Sequence, residues 1–430
     1  MEPKGATAQS FLIARGAWEA ASAGAENEPK NWRESMRRVA AGHCLAISLF
    51  VGTSAAHAQD SANTAVDPYA LVQDQPIAPE AASSRTTVTI DGGGVLTLYG
   101  QANLTFQSFD DGGETTSGIV DNGNWNTRLG ATFSQPIQDV TLRLRFESGL
   151  GLRNSALISQ NGKPDWVDWQ RTSLRWFEVA VDTNYGTLSG GQGSSASDGT
   201  AGLDDSFTFH AGATDSSDGF GSFLFRDATG TLTNISVGQV NNSFDGARRF
   251  RIRYDTPDFH GVTLATSYGR NILVSSDDTD YYDAAIRWTG EFGDFAVRSA
   301  ASYQWLDDPN GPNSERAAGS ATVVHTPTGL NFAASAGQEI DGADYYWIRG
   351  GWRTALFTFG TTSLSADYYS GRDFVSNGSR TENFGLYAVQ SFDAAPIDLY
   401  AGWRRFTFSD RSGRSYRDAD GILIGVRAFF

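Results

Sequence analysis

From Val95 to Phe430 the chain is a succession of short segments in which apolar and polar side chains alternate. In "LTLYGQANLTF", Leu96, Leu98, Ala102, Leu104 and Phe106 share one face, and Thr97, Tyr99, Gln101, Asn103 and Thr105 share the other. "VTLRLRFESG" sets Leu142, Leu144 and Phe146 against Thr141, Arg143, Arg145 and Glu147. "RRFRIRYD" sets Phe250, Ile252 and Tyr254 against Arg249, Arg251, Arg253 and Asp255. The closing "GILIGVRAFF" puts Ile422, Ile424, Val426, Ala428 and Phe430 in one apolar row. A period of two is that of a β-strand.

This pattern predicts sixteen strands, at 95–107, 126–135, 139–152, 173–183, 186–193, 249–256, 262–270, 280–290, 294–305, 318–326, 330–339, 344–353, 357–369, 381–391, 397–408 and 419–430. Their connections alternate in length. Short ones such as "TNYG", "PDFHG", "GEFG", "TPTG" and "FDAAP" take turns with mostly long polar ones at 108–125, 153–172, 194–248, 306–317, 370–380 and 409–418. Such segregation predicts an up-and-down barrel with turns at one end and loops at the other.

The arginines decide which way the faces point. Enclosing that many guanidinium groups in a dry interior would cost several kcal/mol each unless they were paired or hydrated. A wide, water-filled lumen removes the cost, and the apolar rows then face lipid. Closure satisfies every backbone group in the membrane. The expected fold is an all-β, 16-stranded antiparallel transmembrane β-barrel at 93–430.

Composition narrows the class further. The formal net charge is −16, which argues against nucleic acid as a partner. Upstream, "MRRVAAGHCLAISLFVGTSAAHAQ" has the layout of a secretory signal. Arg37 and Arg38 form its basic start, Ala46 to Val51 its apolar centre, and Ala56-His57-Ala58 its cleavage site. The expected organisation is a non-native extension at 1–35 with Met36 rather than Met1 as the start, a signal peptide at 36–58, and a flexible lead-in at 59–92. The single cysteine, Cys44, lies inside the signal, which leaves neither a disulfide framework nor a cysteine metal site in the mature chain. Residues 1–58 carry six basic and five acidic side chains, so their removal shifts the net charge from −16 to −17.

The segments "LTLYGQANLTF", "TRLGATFSQPIQDVTLRLRFESGL", "NYGTLSGGQ", "RIRYDTPDFHGVTLATSYG" and "GILIGVRAFF" resemble, in order, those of the general diffusion porins of Gram-negative bacteria. The resemblance implies an outer-membrane channel for passive diffusion of ions and small hydrophilic solutes, with no cofactor. It also implies a homotrimer, an inward-folded third external loop at roughly 194–248, and Phe430 as an assembly signal. In the family an acidic loop faces a basic wall across the narrowest point, giving a transverse field. The matching acids here are Asp198, Asp204, Asp205, Asp215, Asp218 and Asp227, and the wall candidates are Arg128, Arg143, Arg145, Arg249, Arg251 and Arg253. The bland alternative is that the aspartates are solvated and the arginines pair locally with Glu147 and Asp255. The loop departs from the family in its length, in lacking a "PEFG"-like turn, and in containing "TGTLTNISVGQV", which could form an extra hairpin or strand.

Two other classes compete. A barrel enzyme of lipase or protease type needs a nucleophile or acid–base group, commonly with histidine. The mature chain offers only His210, His260 and His325, none in a recognisable motif, so the reading is non-enzymatic. A surface binding protein would lack the heat-modifiable gel mobility of a barrel. The acidic run "SSDDTDYYD" at 275–283 lacks the spacing of a calcium loop, so no metal is expected. Acidic outer loops would instead meet lipopolysaccharide through divalent cations.

Overall fold

The computed structural model describes residues 86–430. The upstream extension, the signal and residues 59–85 of the lead-in lie outside the described residues. Residues 86–90, within the expected lead-in, form strand β1 (Thr86–Ile90), which pairs antiparallel with β2 (Gly94–Asp110).

The barrel begins at β2. Its far edge is shared by β3 (Thr115–Asp121), facing residues 104–110, and β4 (Arg128–Ile137), facing residues 95–101. These two strands are one stave broken by a short 3-10 turn at Gly123–Trp125, where the Asn122 side chain accepts from the Asn124 amide at 2.9 Å. Residues 115–121 were expected to be loop. They pair because "TTSGIVD" is rich in β-formers, although its polarity masks the alternation.

The wall continues through β5 (Val140–Gly149), β6 (Leu174–Thr183) and β7 (Gly186–Ser194). A long loop carries the small hairpin β8 (Leu224–Arg226) and β9 (Leu232–Ser236) and the single turns α1 (Ser217–Phe220) and α2 (Val237–Val240). The wall resumes with β10 (Arg248–Asp255), β11 (Val262–Arg270), β12 (Asp280–Phe292), β13 (Phe295–Asp307), β14 (Ser314–His325) and β15 (Leu330–Glu339). It ends with β16 (Asp344–Phe357), β17 (Gly360–Arg372), β18 (Arg380–Phe392), β19 (Ile397–Ser409) and β20 (Ala419–Phe429). Each pairs antiparallel with the next, and β20 returns to β2 from Gln101↔Phe429 to Asp110↔Asp420. Counting β3 and β4 together, sixteen staves close the barrel. The strand expected at 357–369 runs instead at 360–372, because the apolar run "ALFTF" continues β16 past its expected end. Phe357 and Phe359 then stack outside, 5.0 Å apart.

The faces are inverted relative to a water-soluble barrel. Leu104 and Phe106 are 41% and 42% exposed, whereas Asn103 and Thr105 between them are 0% and 1% exposed. Outward aromatic pairs gather near both strand ends. Tyr268 with Tyr282 and Tyr303 with Trp305 lie towards the loops, and Trp288 with Phe292 and Phe359 with Phe392 towards the turns. They form the two interfacial girdles of a membrane barrel. No helix among the described residues is long and apolar enough to cross a membrane. At the short turn after β10, His260 and Gly261 take positive φ angles of 56° and 84°. A Cβ at Gly261 would stand 2.0 Å from the Thr289 carbonyl oxygen, so the turn requires glycine there.

Candidate functional site

Alternation along β5 sends Arg143, Arg145 and Glu147 to the inner row. Glu147 is 2% exposed and gathers three guanidinium groups, those of Arg175 at 2.5 Å, Arg145 at 3.1 Å and Arg128 at 3.8 Å. The Tyr99 hydroxyl donates to it at 2.7 Å. Towards the short turns, Arg143 pairs with Asp182 at 2.5 Å. The periodicity places Arg175 on the lipid side. A bulge in the β5–β6 pairing, between Glu147 and Ser148, brings it inside instead.

The long loop, residues 195–247, follows the inner rows from β14 and β15 round to β2 and the loop after β5, where the Gln107 side chain donates to the Gly219 carbonyl and the Ser155 hydroxyl to the Asp218 carbonyl, each at 2.7 Å. The Ser335 hydroxyl donates to the Ala201 carbonyl at 2.7 Å, and the Leu203 amide donates to the Ser320 hydroxyl at 3.0 Å. Asp204 pairs with Arg349 at 2.6 Å, and Asp205 pairs with Arg298. Arg349 and Arg404 share Asp367, each at 2.6 Å. Asp245, on the returning limb, accepts the amides of Gly199, Thr200 and Ala201 at 3.0–3.1 Å and so ties the two limbs together. The expected extra hairpin is β8–β9. It is seated on Phe406 and Phe408, at the loop end of the β19 inner row, with Phe109, Phe223 and Phe225 in the same cluster.

The six loop acids separate into different roles. Asp204 and Asp205 are spent in the ion pairs just given. Asp198 is buried and accepts from the Ser194 hydroxyl at 2.6 Å. Asp227 holds the hairpin turn through Thr229 and Thr231 and bridges to Tyr416, away from the wall arginines. Asp215 accepts from the Ser243 hydroxyl at 2.7 Å. Asp218, on α1, is exposed and has Asp215, Arg248 and Arg175 as electrostatic neighbours. Its enclosure within the barrel and the Asp215 charge lift its carboxyl to about 6, against the pull of Arg248 and Arg175.

The wall arginines also separate. Arg128, Arg143 and Arg145 lie on inner rows around the carboxylates described above. Arg249 is inward too, with its guanidinium 4.1 Å from the Tyr281 ring. Arg251 and Arg253 face inward as expected but are 3% and 1% exposed, which corrects their reading as lining residues. The start of the loop covers them. Arg251 binds Glu178 and the Ser194 carbonyl, and Arg253 binds Asp255 at 2.6 Å and the Ser195 carbonyl at 2.9 Å. Sequence reasoning missed Arg175 and Arg248, because a bulge and a strand start break the period that located the others.

The histidines stand apart from one another. His210 is buried with its ring edge-on to Tyr400 at 4.9 Å, and burial lowers its pKa to about 4. His260 occupies a turn, and His325 bonds Thr328 at 2.7 Å. In the acidic run at 275–283, Asp277 accepts from Asn271 and Tyr281, and Asp280 pairs with Arg270.

A family model described as Gram-negative porin matches residues 44–411. No curated protein matches the chain. Among solved structures, the anion-selective porin from Comamonas acidovorans is similar at 15% identity and a TM-score of 0.53, covering 78% of this chain and 100% of that one. A loop L8 deletion mutant of OmpT, an outer membrane protein of Vibrio cholerae, gives 16%, 0.52, 78% and 99% on the same measures. Salmonella typhi OmpF, in a complex with daunomycin, gives 15%, 0.50, 80% and 100%. These likenesses are of fold.

Proposed function

The chain belongs to the Gram-negative porin family and is an outer-membrane channel, and we propose that its conducting path is narrowed between the loop acids Asp215 and Asp218 and the wall arginines Arg128, Arg145, Arg175 and Arg248. The observation that carries this reading is the long loop hydrogen-bonded along the inner rows, with the Asp218 side chain exposed and Arg248 and Arg175 among its electrostatic neighbours. A carboxylate and guanidinium groups facing each other across water orient dipolar solutes and disfavour apolar ones. The solutes are ions and small hydrophilic molecules, taken without covalent chemistry. Single-channel recording of the refolded protein in salts of unequal ion size tests it. Stepwise conductance that falls as the ions grow supports a narrow wet waist, and size-independent conductance refutes it.

The same reading assigns a homotrimer. Exposed Leu157, Trp166, Val167 and Trp169 on the loop between β5 and β6 form an apolar surface suited to a second copy. Outer-membrane lipid surrounds the remaining staves, with lipopolysaccharide at the acidic outer loops. Crosslinking of a cysteine at Val167 to a neighbouring copy in membranes tests the subunit contact.

A further inference from the structure

Residues 205–210 of the long loop alternate in an unusual sense. Ser206, Thr208 and His210 are buried. The Thr208 hydroxyl bonds Ser365 at 2.6 Å, and His210 packs on Tyr400. The intervening Phe207 and Phe209 are only half-buried. The loop therefore holds the wall with small polar groups and leaves two phenyl rings partly open between them. Phe207 does so at a φ of 61°, a left-handed conformation that a bulky residue adopts only when its surroundings impose it.

Each ring has partners of one kind. The Arg353 guanidinium lies 3.7 Å from the Phe207 ring centre. Phe209 meets the half-buried Trp125 edge-on at 5.5 Å. Trp125 comes from the turn that breaks the second stave, and the guanidinium groups of Arg128 and Arg427 lie 4.8 Å and 5.7 Å from its ring. Arg427 is also 4.7 Å from Phe429, on the inner row of the last strand, and pairs with Asp398 at 3.2 Å while keeping 15% side-chain exposure. The Trp125 indole nitrogen is buried without a hydrogen-bond partner. Aromatic faces and guanidinium groups thus alternate beneath the loop.

We infer that this belt is a subsite for small planar aromatic carboxylates, which stack on Phe209 and Trp125 and direct the carboxylate to Arg427 or Arg128, the two guanidinium groups beside the Trp125 ring. A ring face partly open to water is completed by another planar ring. A guanidinium fork matches a carboxylate in geometry as well as charge. A saturated acid satisfies the second requirement alone, and a neutral aromatic alcohol only the first. The inference deepens the channel reading and rests on it.

The test is ion-current block in planar bilayers containing the purified porin. Benzoate is expected to reduce the current in a saturable way. Cyclohexanecarboxylate, benzyl alcohol and glucose are each expected to be about five-fold weaker or more. Phe209→Leu and Trp125→Leu should weaken benzoate block by about five-fold, with unit conductance in potassium chloride kept or slightly raised. Equal block by benzoate and cyclohexanecarboxylate on the wild type would overturn the subsite without any variant. So would glucose blocking as strongly as benzoate, or leucine variants that conduct normally and still respond to benzoate like the wild type. Absence of any ion conductance would overturn the channel reading itself, and the two failures are separate.

Discussion

The amide of Phe430 donates to the carbonyl of Gly100 at 3.0 Å, and the amide of Gly100 returns a bond to the carbonyl of Phe430 at 2.9 Å. The last residue of the chain thereby closes the barrel on its first stave. β1 takes over the β2 edge from Leu98 onwards, where the C-terminal strand has run out.

Deleting Phe430 should therefore impair assembly more than conduction. It removes both closing bonds and an outward ring that is 49% exposed to the lipid side. A side chain at Gly100 should act in the same direction, because a Cβ there would stand 2.6 Å from the Phe430 ring. Expected are a low yield of heat-modifiable barrel for Phe430 deletion and for Gly100→Val, and normal unit conductance for the molecules that do fold. Full yields of both variants would contradict the closure argument.

Glu147 holds three arginines on the wall and is itself 2% exposed. Glu147→Gln leaves those cations without their common carboxylate. Breaking a buried pair from one side costs about 3–5 kcal/mol, and the lower end applies here because Arg145 and Arg175 are partly hydrated, at 19% and 17% side-chain exposure. The variant should unfold at lower denaturant and shift the reversal potential towards anions. A stable variant with unchanged selectivity would mean the hub neither braces the wall nor sets its field.

Much of this was legible in the alternation. "RRFRIRYD" already separates Phe250, Ile252 and Tyr254 from the three arginines, and the structure keeps that separation. What alternation cannot report is what lies above an inward side chain. Arg251 and Arg253 share a row with Arg249, but the loop that buries them starts more than fifty residues earlier in sequence. Arg175 was illegible for a different reason, since a one-residue bulge reverses the face a period assigns. The inward phenylalanines of β19 were visible in "RRFTFS", where Phe406 and Phe408 continue the row of Arg404. A ring on a polar row has meaning only with its partner, the β8–β9 hairpin.

Asp218 gives the channel a pH dependence. Its carboxyl is raised to about 6, first by its enclosure within the barrel and then by Asp215. A raised carboxylate is protonated in the folded state over a range where it is ionised in the unfolded chain. Its contribution to stability therefore falls as pH rises from about 4 to about 6, and is constant above that. Ionisation adds negative charge facing Arg175 and Arg248, so cation preference should rise between about pH 5 and 7. Reversal potentials measured across that range should show a step near 6 that Asp218→Asn removes. A step that survives the substitution would place the titrating group elsewhere.

The two kinds of inward arginine should respond differently to the same change. Arg143 and its partner Asp182 keep 23% and 32% side-chain exposure, so both stand in contact with the lumen. Arg143→Gln leaves Asp182 as an uncompensated charge in that water and should raise cation preference. Screening falls to about 3 Å at 1 M salt from about 30 Å at 0.01 M, so the change should be large in dilute salt and fade as salt rises. Arg251 has no such access, since its side chain is 0% exposed and that of Glu178 is 6%. Arg251→Gln strands a buried carboxylate and removes the donor to the Ser194 carbonyl at the root of the loop. The expected outcome is a loss of about 3–5 kcal/mol in stability and a noisier open channel, with little movement of the reversal potential. If Arg251→Gln moved the reversal potential as far as Arg143→Gln while the barrel stayed as stable as the wild type, Arg251 would lie in the conducting path. The loop would then have to stand clear of β10 in the working channel.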